Sequence, residues 1–229
     1  MFDGHLRAPV EKAVKPIGDR LRRTRLTPDH LTVVGLVVAV AAAVSIAVGW
    51  LALGLLLVIL AALPDLLDGA LAKASNTSSQ RGAFFDSVVD RVTDSLLFGG
   101  VGWYFASHES AHMALLPMAV AAMSGVISYE RAKAESLGLQ AKGGLMERAE
   151  RIILLCIGLL FPVILVAVMW VMLALVTLTA IQRFVKVWKQ AAVAPQTAAK
   201  IEMRKSRRQS RRSARQSRRR EFMATRRQR

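Results

Sequence analysis

Cysteine is nearly absent from this chain. Cys156 is the single one in 229 residues, which excludes an intramolecular disulfide; set inside an apolar run, it is expected to pack as a small hydrophobe. Acidic residues are scarce too, 16 against 32 lysines and arginines, so a carboxylate that falls inside an apolar stretch needs a physical reason. The segment Met1 to Arg25 is basic but lacks the apolar core and cleavage site of a secretory signal peptide. The sequence therefore predicts a protein inserted through its own helices.

What the chain has in abundance is apolar surface. Hydrophobic residues make up 53% of it and the mean hydropathy is +0.36, enough for one domain and too much for an ordinary soluble one. Several runs approach the roughly 20 residues that cross a bilayer. The net charge of +16 is unevenly placed: Ala191 to Arg229 holds fourteen Lys and Arg against Glu202 and Glu221, so +12 of the total belongs to the tail.

The expected fold is all-α, an integral-membrane bundle of six transmembrane helices preceded by an amphipathic interfacial helix. Residues 1–26 form the leading segment, in which Leu6, Val10, Val14, Ile17 and Leu21 recur at three- and four-residue steps among Arg7, Lys12, Lys15, Arg20 and Arg22. Residues 27–190 form the membrane domain. Thr27-Pro28-Asp29 is a helix-start signal, and His30 to Val48 is the first span, ended by Trp50 at an interface. Leu51 to Leu71 and Gly82 to Phe105 are the second and third, joined by a polar turn from Ser75 to Arg81.

Ala114 to Tyr129 begins the fourth span, which continues as a charged helix to Leu137-Gly138. The thirty residues from Ile152 to Ile181 are short for two spans and long for one; Pro162 divides them. Six spans keep the basic tail, residues 191–229, on the cytoplasmic side, whereas five would export it. Both termini are thus expected in the cytoplasm of a multi-pass cell-membrane protein. The tail is low-complexity Arg, Ser and Gln, expected to be disordered in isolation, to reinforce orientation or clasp anionic lipid, and to bind no specific nucleic acid.

Four aspartates organise the rest. Asp65 and Asp68 are i, i+3, and Asp86 and Asp90 are i, i+4, so each pair shares a helix face. All sit at the ends of apolar runs, where a carboxylate is costly unless paired or metal-bound. Two antiparallel helices would bring the pairs together as an all-oxygen set suited to one or two hard cations, Mg²⁺ or Mn²⁺. Gly69, Ala72, Gly82 and Ala83 leave room for a bulky ligand beside them. Aspartates that only cap helices or pair with Lys73, Arg81 and Arg91 would account for the charge but not for the glycines. The string His108-Glu109-Ser110-Ala111-His112 matches H-E-x-x-H, but it falls in a turn on the opposite face with no third ligand, so a solvated loop is expected there rather than zinc.

A second constellation is basic. Arg131, Lys133, Arg148, Arg151 and Arg183 all fall at expected cytoplasmic helix ends, and gathered around the aspartates they would offer a site for an anion. Ordinary positive-inside placement would give the same residues.

The run D-x-x-D-G-x-x-A, Lys73, eight residues, G-x-x-x-D-x-x-x-D resembles the signature of the CDP-alcohol phosphotransferases. Every fixed position of the run matches but one: Lys73 replaces the family's usual arginine, keeping the charge and losing the bidentate fork. The stretch from Ile127 through Arg151 is similar to that of actinobacterial phosphatidylinositol phosphate synthases, with Arg and Lys exchanged at 131 and 133. The resemblance runs from about Pro28 to Arg183. It implies a six-helix, usually homodimeric membrane enzyme that moves a phosphatidyl group from CDP-diacylglycerol to an inositol phosphate and releases CMP. It further implies that Asp65, Asp68, Asp86 and Asp90 hold two Mg²⁺ or Mn²⁺ ions and that Asp90 also serves as general base. Pro28, Asp29, Thr32, Gly69, Ala72, Lys73 and Gly82 would then meet CDP-diacylglycerol, and the five basic residues the acceptor phosphate. The alternatives are glycerol 3-phosphate as acceptor, giving phosphatidylglycerol phosphate, and a non-catalytic membrane protein whose tail binds lipid or nucleic acid.

Overall fold

A computed structural model of the chain describes residues 28–75, 80–141 and 143–192. Among these residues there are six α-helices: α1 (Pro28–Ala47), α2 (Leu51–Ser75), α3 (Gln80–His108), α4 (Leu115–Ser136), α5 (Arg148–Leu160) and α6 (Leu165–Ala191). Short 3₁₀ turns at Ala111–Ala114 and Pro162–Ile164 lead into α4 and α6. The expected helix over Leu6 to Arg23, the turn at 76–79 and the tail beyond residue 192 lie outside the described residues.

Local chemistry sets the ends of these helices. α1 opens at Pro28 with Asp29 in its first turn, where proline loses no hydrogen bond and a carboxylate meets the positive end of the helix dipole. α4 stops because Gly138 takes φ +71°, a conformation that a Cβ disfavours. The Gly138 amide then donates to the Glu135 carbonyl at 3.0 Å and the Leu139 amide to that of Ala134 at 2.8 Å, a Schellman close. α5 opens with a reciprocal capping box between Glu147 and Glu150. Pro162 ends α5 and starts the next 3₁₀ turn, so the Ile152–Ile181 run is two helices, as the proline predicts.

One apolar core joins all six helices. It contains Ala42 and Ile46 of α1, Val58 of α2, Leu97, Phe98 and Val101 of α3, Ile127 of α4, Leu155 of α5, and Met169, Met172 and Val176 of α6. α1 crosses α3 so closely that a Cβ on Gly100 would lie 2.5 Å from the Ala43 carbonyl oxygen. The outer faces carry Val37, Val44, Leu56, Ile59, Trp170 and Val171, all exposed, as lipid-facing surface requires.

Three stretches are long and apolar enough to cross a membrane among the described residues: Asp29–Ala47, Ala111–Ser136 and Pro162–Ala191. The other helices differ for physical reasons. α3 has 29 residues but carries Arg81, Asp86, Asp90, Arg91 and Asp94 in its first half. α5 has only 13 residues, about 20 Å of helix against a hydrocarbon core of roughly 30 Å. Its buried residues, Arg151, Leu155, Gly158 and Leu159, form one stripe turned to the core.

Candidate functional site

Short connections make successive helices antiparallel, and the site residues collect on one half of the bundle. They fall at the start of α1, the end of α2, the start of α3, the end of α4, the start of α5 and the end of α6. The opposite end is marked by Gly49 at the close of α1, whose Cβ position lies 3.2 Å from the His108 ring at the close of α3. There the His108 ring stacks on Tyr104 with centroids 4.5 Å apart. α3 ends at His108 and His112 lies in the following 3₁₀ turn, so no single helix holds the two histidines in i, i+4 register.

On α3, Asp86, Asp90 and Asp94 follow at successive four-residue steps, along one slowly drifting stripe. Asp86 and Asp90 are partly buried, and Asp94 is buried, 6% exposed. Their main partners come from the first turn of α5. The Arg148 Nη1 lies 2.7 Å from Asp90 Oδ1, and its Nε lies 3.6 Å from Asp94 Oδ1. Arg151, only 3% exposed, donates from Nη2 to Asp94 Oδ2. Arg91 contributes a longer contact to Asp90, 3.7 Å, while donating to the Ser87 carbonyl at 2.6 Å.

The spaced motif leaves Asp94 out, although the sequence carries a signal for it. A third carboxylate in register with Asp86 and Asp90, deeper in an apolar helix, demands a buried cation. Its partner lies 57 residues away, and no local pattern points there.

A second cluster surrounds Arg183 on α6, which is 4% exposed. Its Nε donates to the Gly143 carbonyl at 3.0 Å, Nη1 to the Ile127 carbonyl at 3.3 Å, and Nη2 to Glu147 Oε1 at 3.1 Å. One turn earlier, Thr179 Oγ1 accepts from the Met146 amide at 3.1 Å. α6 thus fastens the α4–α5 loop, and Glu147, which caps α5, is itself fixed by Arg183. Through Glu147, Arg183 and the opening turn of α5 are joined in one charged cluster.

The five basic residues therefore divide. Arg151 and Arg183 are buried and hydrogen-bonded to protein groups. Arg148 is intermediate, with 24% of its side chain exposed. Arg131 and Lys133 are exposed, Arg131 lying 3.1 Å from Glu135 on the same helix. Sequence reasoning also misses Glu147 and Thr179, which hold this half of the site in place, because their partners lie across the bundle.

Of the residues expected to meet a nucleotide-linked lipid, Asp29 is half-buried and Thr32 is 9% exposed in the opening turns of α1, and Gly82 is half-buried in the first turn of α3. Pro28 is the first residue of α1. Asp65, Asp68, Gly69, Ala72 and Lys73 lie on the last turns of the α2 helix; their side chains are outside the described residues. As to a divalent ion, the donor chemistry fits: Asp86 and Asp90 offer only carboxylate oxygens, one turn apart, and α2 carries two more carboxylates near its C-terminal end.

Residues 25–196 match the CDP-alcohol phosphatidyltransferase family model. The phosphatidylinositol phosphate synthase of Cutibacterium acnes is 41% identical over 151 residues, covering 65% of this chain and 73% of that protein. Two crystal structures of the Mycobacterium tuberculosis phosphatidylinositol phosphate synthase share 34% identity with this chain. The one with CDP-DAG bound superposes with a TM-score of 0.72 over 77% of this chain and 94% of that one. The one in complex with manganese and citrate gives 0.71 over 76% and 88%. With three-quarters of its length matched and the fold shared, the chain belongs to the CDP-alcohol phosphatidyltransferase family.

Proposed function

We propose that this protein transfers the phosphatidyl group of CDP-diacylglycerol to the hydroxyl of an inositol phosphate, forming phosphatidylinositol phosphate and releasing CMP. The observation that carries the reading is the contact between an acidic stripe and a basic helix end. Asp90, with Asp86 one turn before it a donor for a hard cation, adjoins through Arg148 the arginine-rich start of α5. A phosphoryl transfer between two anionic substrates needs these two environments side by side.

The roles follow from placement. Asp65, Asp68, Asp86 and Asp90 hold the divalent ions, two Mg²⁺ or Mn²⁺. When bound, those ions neutralise the diphosphate and the charge developing on CMP. Asp90 accepts the proton of the acceptor hydroxyl as its oxygen bonds to the phosphatidyl phosphorus and the bond to the CMP oxygen breaks; its placement beside the reacting groups makes it a base. Pro28, Asp29, Thr32, Gly69, Ala72, Lys73 and Gly82 border the CDP-diacylglycerol, the glycines and alanine admitting its bulk.

Arg131, Lys133, Arg148, Arg151 and Arg183 form the acceptor side. Their burial separates two duties: Arg148, Arg131 and Lys133 are reachable by a phosphate, while Arg151 and Arg183 supply buried positive charge and hold the loop and helix that carry the others. The protein is membrane-embedded; in this reading all six helices cross or enter the bilayer, with the site on the cytoplasmic side and two chains forming a dimer.

The similarity to inositol-phosphate-using relatives favours that acceptor over glycerol 3-phosphate. The purified protein with labelled acceptors decides between them. Incorporation from inositol phosphate, abolished by EDTA and restored by Mn²⁺ or Mg²⁺, is expected. Exclusive incorporation from glycerol 3-phosphate would reject the acceptor, and absence of CMP release with either would favour a non-catalytic role.

A further inference from the structure

The third aspartate of the α3 stripe has no place in the mechanism above, yet it is the most deeply built of the described carboxylates. Asp94 Oδ2 is taken by Arg151. Its Oδ1 is buried with no hydrogen-bond partner, and the group facing it is Arg148 Nε at 3.6 Å. The same guanidinium is bound through Nη1 to Asp90 Oδ1 at 2.7 Å. One arginine therefore lies between two carboxylates a helical turn apart, attached to the first and roughly 0.5 Å beyond ordinary N–H···O reach of the second.

We propose that Asp94 is a positioning residue that takes over Arg148 when a divalent cation engages Asp90. This rests on the reading of Asp90 as a metal-site carboxylate. Arg148 and a cation compete for the same Asp90 oxygens. Displacement from Asp90 costs a guanidinium whose side chain is only 24% exposed one of its carboxylate partners, which is unfavourable unless another carboxylate replaces it. Asp94 removes that penalty. Closing the 3.6 Å gap gives the buried Asp94 Oδ1 its donor with a small motion of one side chain. Arg151 makes the acceptor rigid, because it pins the other oxygen of Asp94 from the same helix that carries Arg148. Arg148 then remains at the α3–α5 junction, on the acceptor side, instead of swinging away.

The alternative is that Asp94 merely neutralises Arg151. A double-mutant cycle on Mn²⁺ binding separates the two, using the full chain in detergent and the electron paramagnetic resonance signal of unbound Mn²⁺. Asp94→Asn is expected to weaken Mn²⁺ binding about tenfold in the natural background and less than about twofold when Arg148→Gln is already present. An equal loss in both backgrounds would mean that Asp94 acts only through its charge, and no loss in either would mean that it does not act on the site; each overturns the proposal.

If Asp94→Asn does not fold, a structure of the unmodified chain with Mn²⁺ bound decides the question without substitution. Arg148 Nε within hydrogen-bond distance of Asp94 and released from Asp90 is the expected arrangement, and Arg148 still seated on Asp90 is the contrary one. Failure of the unmodified chain to bind Mn²⁺ at all would instead remove the reading of Asp90, and this inference with it.

Discussion

The acidic and basic halves of the site are built in different ways. The aspartates are presented by regular helix: Asp86 and Asp90 sit one turn apart on α3, and their relation needs nothing beyond helical periodicity. The arginines are positioned by tertiary contacts. Arg151 reaches Asp94 across 57 residues, and Arg183 reaches Ile127 across 56 and Glu147 across 36. One half follows from backbone geometry, and the other exists only when the bundle is assembled. Substitutions in the acidic half should therefore remove chemistry with little effect on folding, and substitutions in the basic half should do much of their damage through folding.

The largest effect belongs to Asp90→Asn. Loss of the base and of a cation donor should lower CMP release by at least about 10²-fold while the melting temperature in detergent changes little; retained turnover would defeat the base assignment. Next, Arg151→Gln breaks the buried pair with Asp94 and should cost about 3–5 kcal/mol of stability, measured by thermal or denaturant unfolding in detergent. An unchanged melting temperature would show that the basic half is not held by this contact.

These two expectations mark how far the sequence can be read. The six helices are legible because apolar runs, Pro28, Gly138 and Pro162 punctuate them locally, and the aspartates because a spaced motif is a local object. The sequence places Arg151 and Arg183 in the basic half but cannot show that both are buried and engaged. That depends on Asp94, Glu147 and the Gly143 and Ile127 carbonyls, none of them a helical-turn neighbour of the arginine it meets. The spans differ from expectation for a similar reason. α3 runs from Gln80 to His108, past the expected Gly82 and Phe105, and Asp90 in its charged half meets Arg148 from across the bundle, a partner that no local pattern marks.

A smaller effect should follow Glu147→Ala. It removes the side-chain half of the α5 capping box, worth about 1 kcal/mol, together with an Arg183 partner at 3.1 Å. Because Arg148 follows directly, the KM for the acceptor should rise more than that for CDP-diacylglycerol; equal shifts in both would separate the cap from the acceptor side. The smallest effect is expected from deleting residues 193–229, most of the basic tail. Initial rates on detergent-solubilised substrate should stay within about twofold, since none of the proposed site residues lies there and the tail's attraction for anionic lipid is absent in detergent. Abolished turnover would support the lipid- or nucleic-acid-binding alternative.

The central claim is that α2 and α3 carboxylates grip the same divalent ions. Mn²⁺ titration of the purified chain, followed by electron paramagnetic resonance, tests it through one substitution on each helix, Asp68→Asn and Asp86→Asn. The account predicts that each alone removes or severely weakens Mn²⁺ binding. Binding that survives unchanged when either helix loses its carboxylate would contradict it.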